Sequence, residues 1–203
     1  MKSGLFITFE GTEGSGKTTQ SKILYEHLKS QNIKTIWTRE IGGVEIAEKI
    51  RDIILHNEMD IMTEFLLVLA ARKEHITKLI KPSLEDGYVV ICDRFIDSTL
   101  VYQGYNIGID KVLSLHNETL GSFMPDSTFF IDVSPEIGLS RALARGDSNK
   151  FENYGIDYHN KIYERFMSLS HIFPDRIHVI NGSKEKHIVT SDILSILKKA
   201  MYF

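Results

Sequence analysis

Short apolar runs alternate along the chain with longer stretches whose apolar residues recur at helical spacing. Residues 5–9, 33–38, 88–92, 128–133 and 177–180 read as strands. The runs at 88–92 and 128–133 are apolar almost throughout, as expected of strands buried on both faces. Between them, residues 19–31 carry Ile23, Leu24 and Leu28 on one helical face, and 44–54 carry Ile46, Ile50, Ile53 and Ile54. A long helix is expected over 61–84, stopped by Asp86-Gly87. Further helices are expected over 95–102, 111–120, 156–170 and 188–199. Another should run from Ser134 to about Ala144, with Ser134 as cap and Pro135 in the first turn. Residues 146–155 are polar, bounded by glycines and aperiodic, which predicts a mobile loop, the lid of the resemblance given below. The alternation predicts an α/β fold of three layers, a five-stranded parallel sheet flanked by helices. No repeat or linker interrupts it, so a single domain spanning residues 1–203 is expected.

Candidate chemistry concentrates where strands end. Gly11-Thr12-Glu13-Gly14-Ser15-Gly16-Lys17-Thr18 fits G-x-x-x-x-G-K-[ST], and it lies between the first strand and a helix opened by Thr19. That setting predicts a P-loop NTPase fold. Its glycines let successive N–H groups face one anion, and the helix N-terminus adds its positive dipole end. Lys17 is placed to reach the outer phosphates of a nucleotide, and the Thr18 hydroxyl to ligate Mg²⁺. Asp93-Arg94 follows another strand directly. Ligands of such sheets gather at the carboxyl ends of strands, so Asp93 and the Gly11 loop should share a rim, where a carboxylate holds a cation or accepts a proton. Arg39 and Arg94 end strands, Arg141 and Arg145 lie one turn apart ahead of the lid, and Lys150 lies within it. Two phosphate-bearing ligands facing each other would account for this set, which points to phosphoryl transfer rather than hydrolysis.

Composition narrows the setting. The 203 residues are 42% hydrophobic and 25% charged with a net charge of -3, ordinary for a globular protein and without electrostatic reason to bind nucleic acid or membrane. Cys92 is the lone cysteine, set in an apolar run, so no internal disulfide forms and a reducing compartment is expected. No signal peptide and no bilayer-length apolar segment is legible, which makes the cytoplasm the expected location. The eight histidines form no H-E-x-x-H pattern.

Almost end to end, the chain resembles the bacterial thymidylate kinases, which phosphorylate dTMP with ATP. The resemblance rests on residues 9–18, on Thr38-Arg39-Glu40-Ile41-Gly42-Gly43 beside the family's T-R-E-P-G-G, and on Ala70-Ala71-Arg72. It rests most specifically on Asp93-Arg94-Phe95 with Ser98, Tyr102, Gln103 and Gly104 beside D-R-Y and S-x-x-Y-Q-G, followed by Met124-Pro125-Asp126 and Asp132-Val133-Ser134-Pro135-Glu136. It implies that Lys17 stabilises the transferring group, that Thr18 and Asp93 hold Mg²⁺, and that Arg39 and Arg94 bind the dTMP phosphate. It also places Glu13 at the sugar 3′-hydroxyl, and Arg72, Thr99 and Gln103 at the thymine edge. Tyr102 falls against the sugar 2′ position, and Arg51 near the acceptor pocket. Gly14 stands where one class of the family carries Arg, so Arg145 and Lys150 of the lid should supply the catalytic charge, with Arg141 beside the donor. A homodimer packed through the 61–84 region is implied as well.

The chain departs from the family at three positions. Ile41 replaces a usual Pro, so the turn after Arg39 is expected to differ. Val68 replaces an aromatic residue that stacks on thymine, with Phe65 as the neighbouring ring to compensate. Lys150 replaces a common lid arginine. Alternatives left open by the residues are another nucleoside monophosphate or deoxynucleoside kinase, a regulatory nucleotide binder, and a GTPase switch. For the last, Asn149-Lys150-Phe151-Glu152 is a near miss to N-K-x-D in the wrong place.

Overall fold

The computed structural model describes residues 4–144 and 154–200. Its parallel sheet contains β1 (Leu5–Glu10), β2 (Thr35–Arg39), β3 (Val89–Asp93), β4 (Ser127–Asp132) and β5 (Ile177–Asn181), in the order β2-β3-β1-β4-β5. Both β1 and β3 are buried along their whole length, which matches the continuous apolar run Val89–Cys92 of β3. Their alternate residues feed two cores. Ile7, Phe9, Ile91, Phe129 and Ile131 pack against Leu24 and Leu28 of α1 (Lys17–Ser30) and Ile193 and Leu197 of α10 (Lys186–Lys199). Phe6, Val90, Cys92 and Phe130 pack on the other face against Phe65 and Leu69 of α3 (Ile61–His75), Leu100 of α5 (Ile96–Tyr102) and Phe166 of α9 (Ile156–Ile172). Each such side chain contributes about 1.5–3 kcal/mol on burial, and this holds the three layers together.

Several expected boundaries move. The helix after the P-loop starts at Lys17 rather than Thr19, so the lysine sits in its first turn. The 61–84 stretch is helical through α3, a wider π turn at Ile76–Ile80 and α4 (Lys81–Glu85). The wide turn lies just ahead of Pro82, whose ring lacks a donor and crowds the carbonyl four residues back. Asp60 caps α3 by accepting the N–H groups of Met62 and Thr63. Ser134 occupies the N-cap position of α8 (Pro135–Leu143), but its side chain makes no capping hydrogen bond. A short α6 (Gly104–Ile107), which periodicity did not suggest, joins α5 to α7 (Ile109–Leu120). The expected lid falls almost wholly outside the described residues, together with Arg145 and Lys150.

Strand register fixes the site. Arg39 of β2 and Phe9 of β1 both lie opposite Asp93 of β3. The P-loop, Asp93-Arg94 and Arg39 therefore leave the sheet side by side at one rim, where the chain reverses from building one half of the sheet to building the other.

Candidate active site

Gly16 takes a left-handed conformation (φ 96°) as the N-cap of α1, and the chain turns there from loop into helix. Lys17 is buried, and its ammonium donates to the Thr12 carbonyl at 3.2 Å and lies 3.9 Å from Glu13 Oε2. Burial, with Arg94 repulsion added, holds its pKa below the usual lysine value, while Glu13, Asp93 and Glu10 oppose. An ammonium has three donors, so a buried one with a single carbonyl acceptor is suited to an incoming anion. Gly14 explains why no arginine stands in this loop. A Cβ there would run into the Gly138 carbonyl of α8, so the helix approaches too closely for any side chain.

Asp93 and Arg94 meet the P-loop directly. The Thr18 hydroxyl donates to Asp93 Oδ2, while Asp93 Oδ1 is buried without a hydrogen-bond partner among the described residues. Arg94 Nη2 pairs with Glu13 Oε1 at 2.6 Å, and its Nη1 donates to Ser98 Oγ at 3.0 Å. Beneath them lies Glu10, which sequence reading passed over. Its carboxylate accepts the N–H groups of Phe95 (2.8 Å) and Ser98 (3.1 Å) and the Ser98 hydroxyl (2.6 Å). It thereby caps α5, whose own N-cap Phe95 has no side-chain acceptor. Burial, reinforced by Asp97, raises the Glu10 carboxyl to about 7 against the opposing effects of Arg94, Ser98 and Phe95.

Three cavities join at this rim. The first is bordered by Glu13, Arg51, Val68, Arg72, Arg94, Thr99, Tyr102 and Gln103, all expected site residues, together with Glu40, Glu64, Phe95 and Ser98, which were not. The second, beside the P-loop, is bordered by Lys17, Thr18, Thr19, Arg39, Asp93, Lys22 and Trp37, and shares Glu13, Arg51 and Arg94 with the first. The third shares Gly14, Gly16 and Thr19 with the second and adds Ser15, Gln20 and Arg141, with Gly182 and Lys184 from the β5–α10 loop and Lys186 from the first turn of α10. A continuous path thus runs from the first cavity, past the lysine and aspartate, to a basic groove.

Two expectations change. Phe65 is fully buried in the core and does not border the first cavity; Phe95 does, beside Tyr102, with the Arg72 guanidinium 4.8 Å from the Phe95 centroid. Thr99 and Gln103 already have protein partners. Thr99 Oγ1 accepts from Arg72 Nη2 at 2.8 Å, and Gln103 Nε2 donates to Glu64 Oε1 at 2.8 Å. Glu64 had a sequence signal, since it stands four residues before Val68 and eight before Arg72 on the same helical face. The turn after Arg39 carries a cis Glu40–Ile41 peptide, with the Ile41 carbonyl accepting from Arg51 at 3.0 Å. Arg39 itself pairs with Glu48 at 2.9 Å.

The family model described as Thymidylate kinase matches residues 9–193. The chain is 51% identical over 201 residues to the thymidylate kinase of Rickettsia typhi, covering 98% of each chain. It is 50% identical over 205 residues to that of Orientia tsutsugamushi, covering 98% of this chain and 94% of the relative. The crystal structure of the thymidylate kinase from Ehrlichia chaffeensis superposes with a TM-score of 0.77 at 35% identity, covering 96% of this chain and 99% of that one. On sequence and on fold together, the chain belongs to the thymidylate kinase family.

Proposed function

We infer that this protein transfers the γ-phosphoryl group of ATP to the 5′-phosphate of dTMP, giving dTDP and ADP. The observation that carries the reading is the direct seating of Asp93-Arg94 on the P-loop, through Thr18 and Glu13, between two cavities. Family membership supports it and removes the GTPase alternative.

In this reading dTMP occupies the first cavity. Tyr102 closes on its sugar, Glu13 meets the 3′-hydroxyl, and Arg72, Thr99 and Gln103 meet the polar edge of thymine. Arg39, Arg51 and Arg94 draw its phosphate toward the P-loop, while ATP lies across Gly11–Thr19 with its base near Arg141. A phosphate oxygen of dTMP attacks the γ-phosphorus as the bond to the β,γ-bridging oxygen breaks, and ADP takes the released charge. Lys17 follows that charge from donor to product. Positioning and charge neutralisation supply most of the catalysis in such a step. The orphaned Asp93 Oδ1 beside the Thr18 hydroxyl suits a cation that takes one or two protein oxygens, and among the described residues no larger carboxylate or histidine cluster offers a closed metal cage. Thr18 and Asp93 would hold Mg²⁺, which when bound neutralises phosphate charge. Arg145 and Lys150 are assigned to the donor phosphates by resemblance alone.

A homodimer, a single-domain organisation and a cytoplasmic location belong to the same proposal. Leu66 of α3 and Ile46 and Ile53 of α2 (Glu45–His56) are exposed, and they supply an apolar face for a second copy. Among the described residues no helix is long and apolar enough to cross a membrane. The test is ADP release with ATP, Mg²⁺ and a panel of dTMP, dUMP, CMP, AMP and thymidine. The expected result is highest kcat/KM with dTMP and no turnover of thymidine, which lacks the accepting phosphate. Turnover of thymidine, or ADP release independent of acceptor, would overturn the reading.

A further inference from the structure

Glu10 is the last residue of β1 and stands immediately before Gly11, yet its carboxylate serves the neighbouring strand tip. It is fully buried. Oε1 accepts from the Phe95 and Ser98 N–H groups, which occupies both of its lone pairs, and Oε2 lies 2.6 Å from the Ser98 hydroxyl. A serine has one proton to give. Once Glu10 is ionised, that proton goes to Oε2 in a short, charge-assisted bond, and toward Arg94 the Ser98 oxygen can only accept. Arg94 Nη1 donates to it at 3.0 Å. The bond to the carboxylate also polarises the hydroxyl and makes its oxygen a stronger acceptor.

The backbone of Arg94 is pinned on both sides. It has φ 69°, a left-handed value uncommon for a residue with a side chain. Its N–H donates to the Phe9 carbonyl at 2.9 Å, and its own carbonyl accepts from Cys92 Sγ at 3.0 Å. The guanidinium has two further neighbours, Glu13 at 2.6 Å and the Tyr102 ring 5.5 Å away at its centroid. Both are assigned to the acceptor's sugar in the proposed complex, so Ser98 is the contact that binding leaves to hold the arginine. Helix α5 does not depend on Glu10 alone for its seat. Asp97 is fully buried and takes both Nη groups of Arg176, at 2.7 and 2.6 Å, with Thr128 hydrogen-bonded to the same arginine.

We propose that Glu10 and Ser98 are positioning residues for phosphoryl transfer: the carboxylate orients the Ser98 hydroxyl, and the hydroxyl oxygen aims the Arg94 guanidinium at the acceptor phosphate. This rests on the reading that dTMP fills the first cavity with its phosphate toward the P-loop. Arg94 borders both the acceptor and the transfer cavities, so its aim decides where that phosphate stands. Glu10 and Gly11 are consecutive, and one rigid unit therefore sets the span between the loop that holds the donor and the arginine that holds the acceptor. That span matters because reacting atoms must approach to about 3–3.5 Å, and an error of about 1 Å costs roughly 10²-fold in rate.

The test measures kcat/KM for dTMP, with dissociation constants for dTMP and ATP, in Ser98→Ala and Glu10→Gln, each alone and combined with Arg94→Ala. Conditions are set well above pH 7, the value near which burial places the Glu10 carboxyl, so that it is ionised. Glu10→Gln keeps an oxygen for the two N–H groups but sets a donor against the Ser98 hydroxyl. Each single variant should lower kcat/KM for dTMP by about tenfold, with the dissociation constant for ATP unchanged. Combined with Arg94→Ala, neither should cost more than about a further twofold, because the group it aims is gone. Ser98→Ala decides the matter if Glu10→Gln does not fold. An unchanged kcat/KM in a folded single variant, an equal loss with and without Arg94, or a matching loss of ATP affinity would overturn the positioning role. If the unmodified protein does not bind dTMP, the acceptor reading itself fails and the proposal falls with it.

Discussion

The acceptor cavity is walled by side chains already bound to one another: Arg72 to Glu40 and Thr99, Gln103 to Glu64, and Arg94 to Glu13 and Ser98. Among the described residues the donor groove is walled by glycines, by the small hydroxyl residues Ser15 and Thr19, and by the cations Arg141, Lys184 and Lys186. Its one amide side chain, Gln20, is spent on holding α10, donating to the Lys186 carbonyl at 3.1 Å and accepting from Thr190 at 2.8 Å. The contrast shows where selectivity resides. Side chains locked in place before the ligand arrives impose a pattern of donors and acceptors, and a wrong ligand leaves them unpaired at a cost of about 1–3 kcal/mol per group. Backbone N–H groups at a helix start hold phosphate whatever base it carries. The acceptor should therefore be chosen strictly and the donor gripped mostly by its phosphates.

Substitutions at the junction and on each side test this division. Lys17→Ala removes the charge that both halves share and should lower kcat by about 10³ or more while near-native thermal unfolding is retained; normal turnover would remove the P-loop from the chemistry. Arg94→Ala should cost about 10² in kcat/KM for dTMP and little in KM for ATP, since the arginine borders the acceptor and transfer cavities but not the donor groove. Arg141→Ala should depress kcat by about tenfold with dTMP affinity held, and a change confined to dTMP would move that residue to the other side. Val68→Phe adds a ring to the acceptor wall. It should leave dTMP binding unchanged or tighten it by up to about fivefold, whereas a large loss would mean that Phe95 already fills the stacking position.

The smallest effect is a pH slope. Burial raises the Glu10 carboxyl from 4.5 to about 7 in the folded protein, so between those values the folded state holds a proton that the unfolded chain has released. Its contribution to stability is present below pH 4.5 and lost as pH rises through about 7. Glu10→Gln, which does not titrate, should lose less stability than the unmodified protein across that window in chemical denaturation. A steeper loss in the variant would contradict the burial assigned to Glu10.

How much of this was legible in the letters depends on distance along the chain. The P-loop carries its own geometry in eight consecutive residues, and Asp93-Arg94 could be placed at the same rim because strand ends of a parallel sheet point one way. The nearly continuous apolar runs of β3 and β4 made their burial readable. What stayed hidden depends on contacts between distant segments. Glu10 meets Ser98 across 88 residues, and Glu40 meets Arg72 across 32. Gln20 meets Thr190 across 170. No local pattern announces such pairs, and so the Glu40–Arg72 pair, the Glu10 cap and the β5–α10 wall of the donor groove escaped notice. Phe65 was misjudged for a related reason. Helical spacing placed it near Val68, but not on the face turned to the cavity rather than to the sheet.

The central claim is that the P-loop and the Asp93-Arg94 strand tip hold a donor and an acceptor phosphate against each other. It is tested most directly by following label from ATP carrying a marked γ-phosphate in the presence of dTMP and Mg²⁺. The account expects the label to appear in dTDP in step with ADP release, and to vanish from that product with Lys17→Ala. Label released as inorganic phosphate at a rate indifferent to dTMP would contradict it.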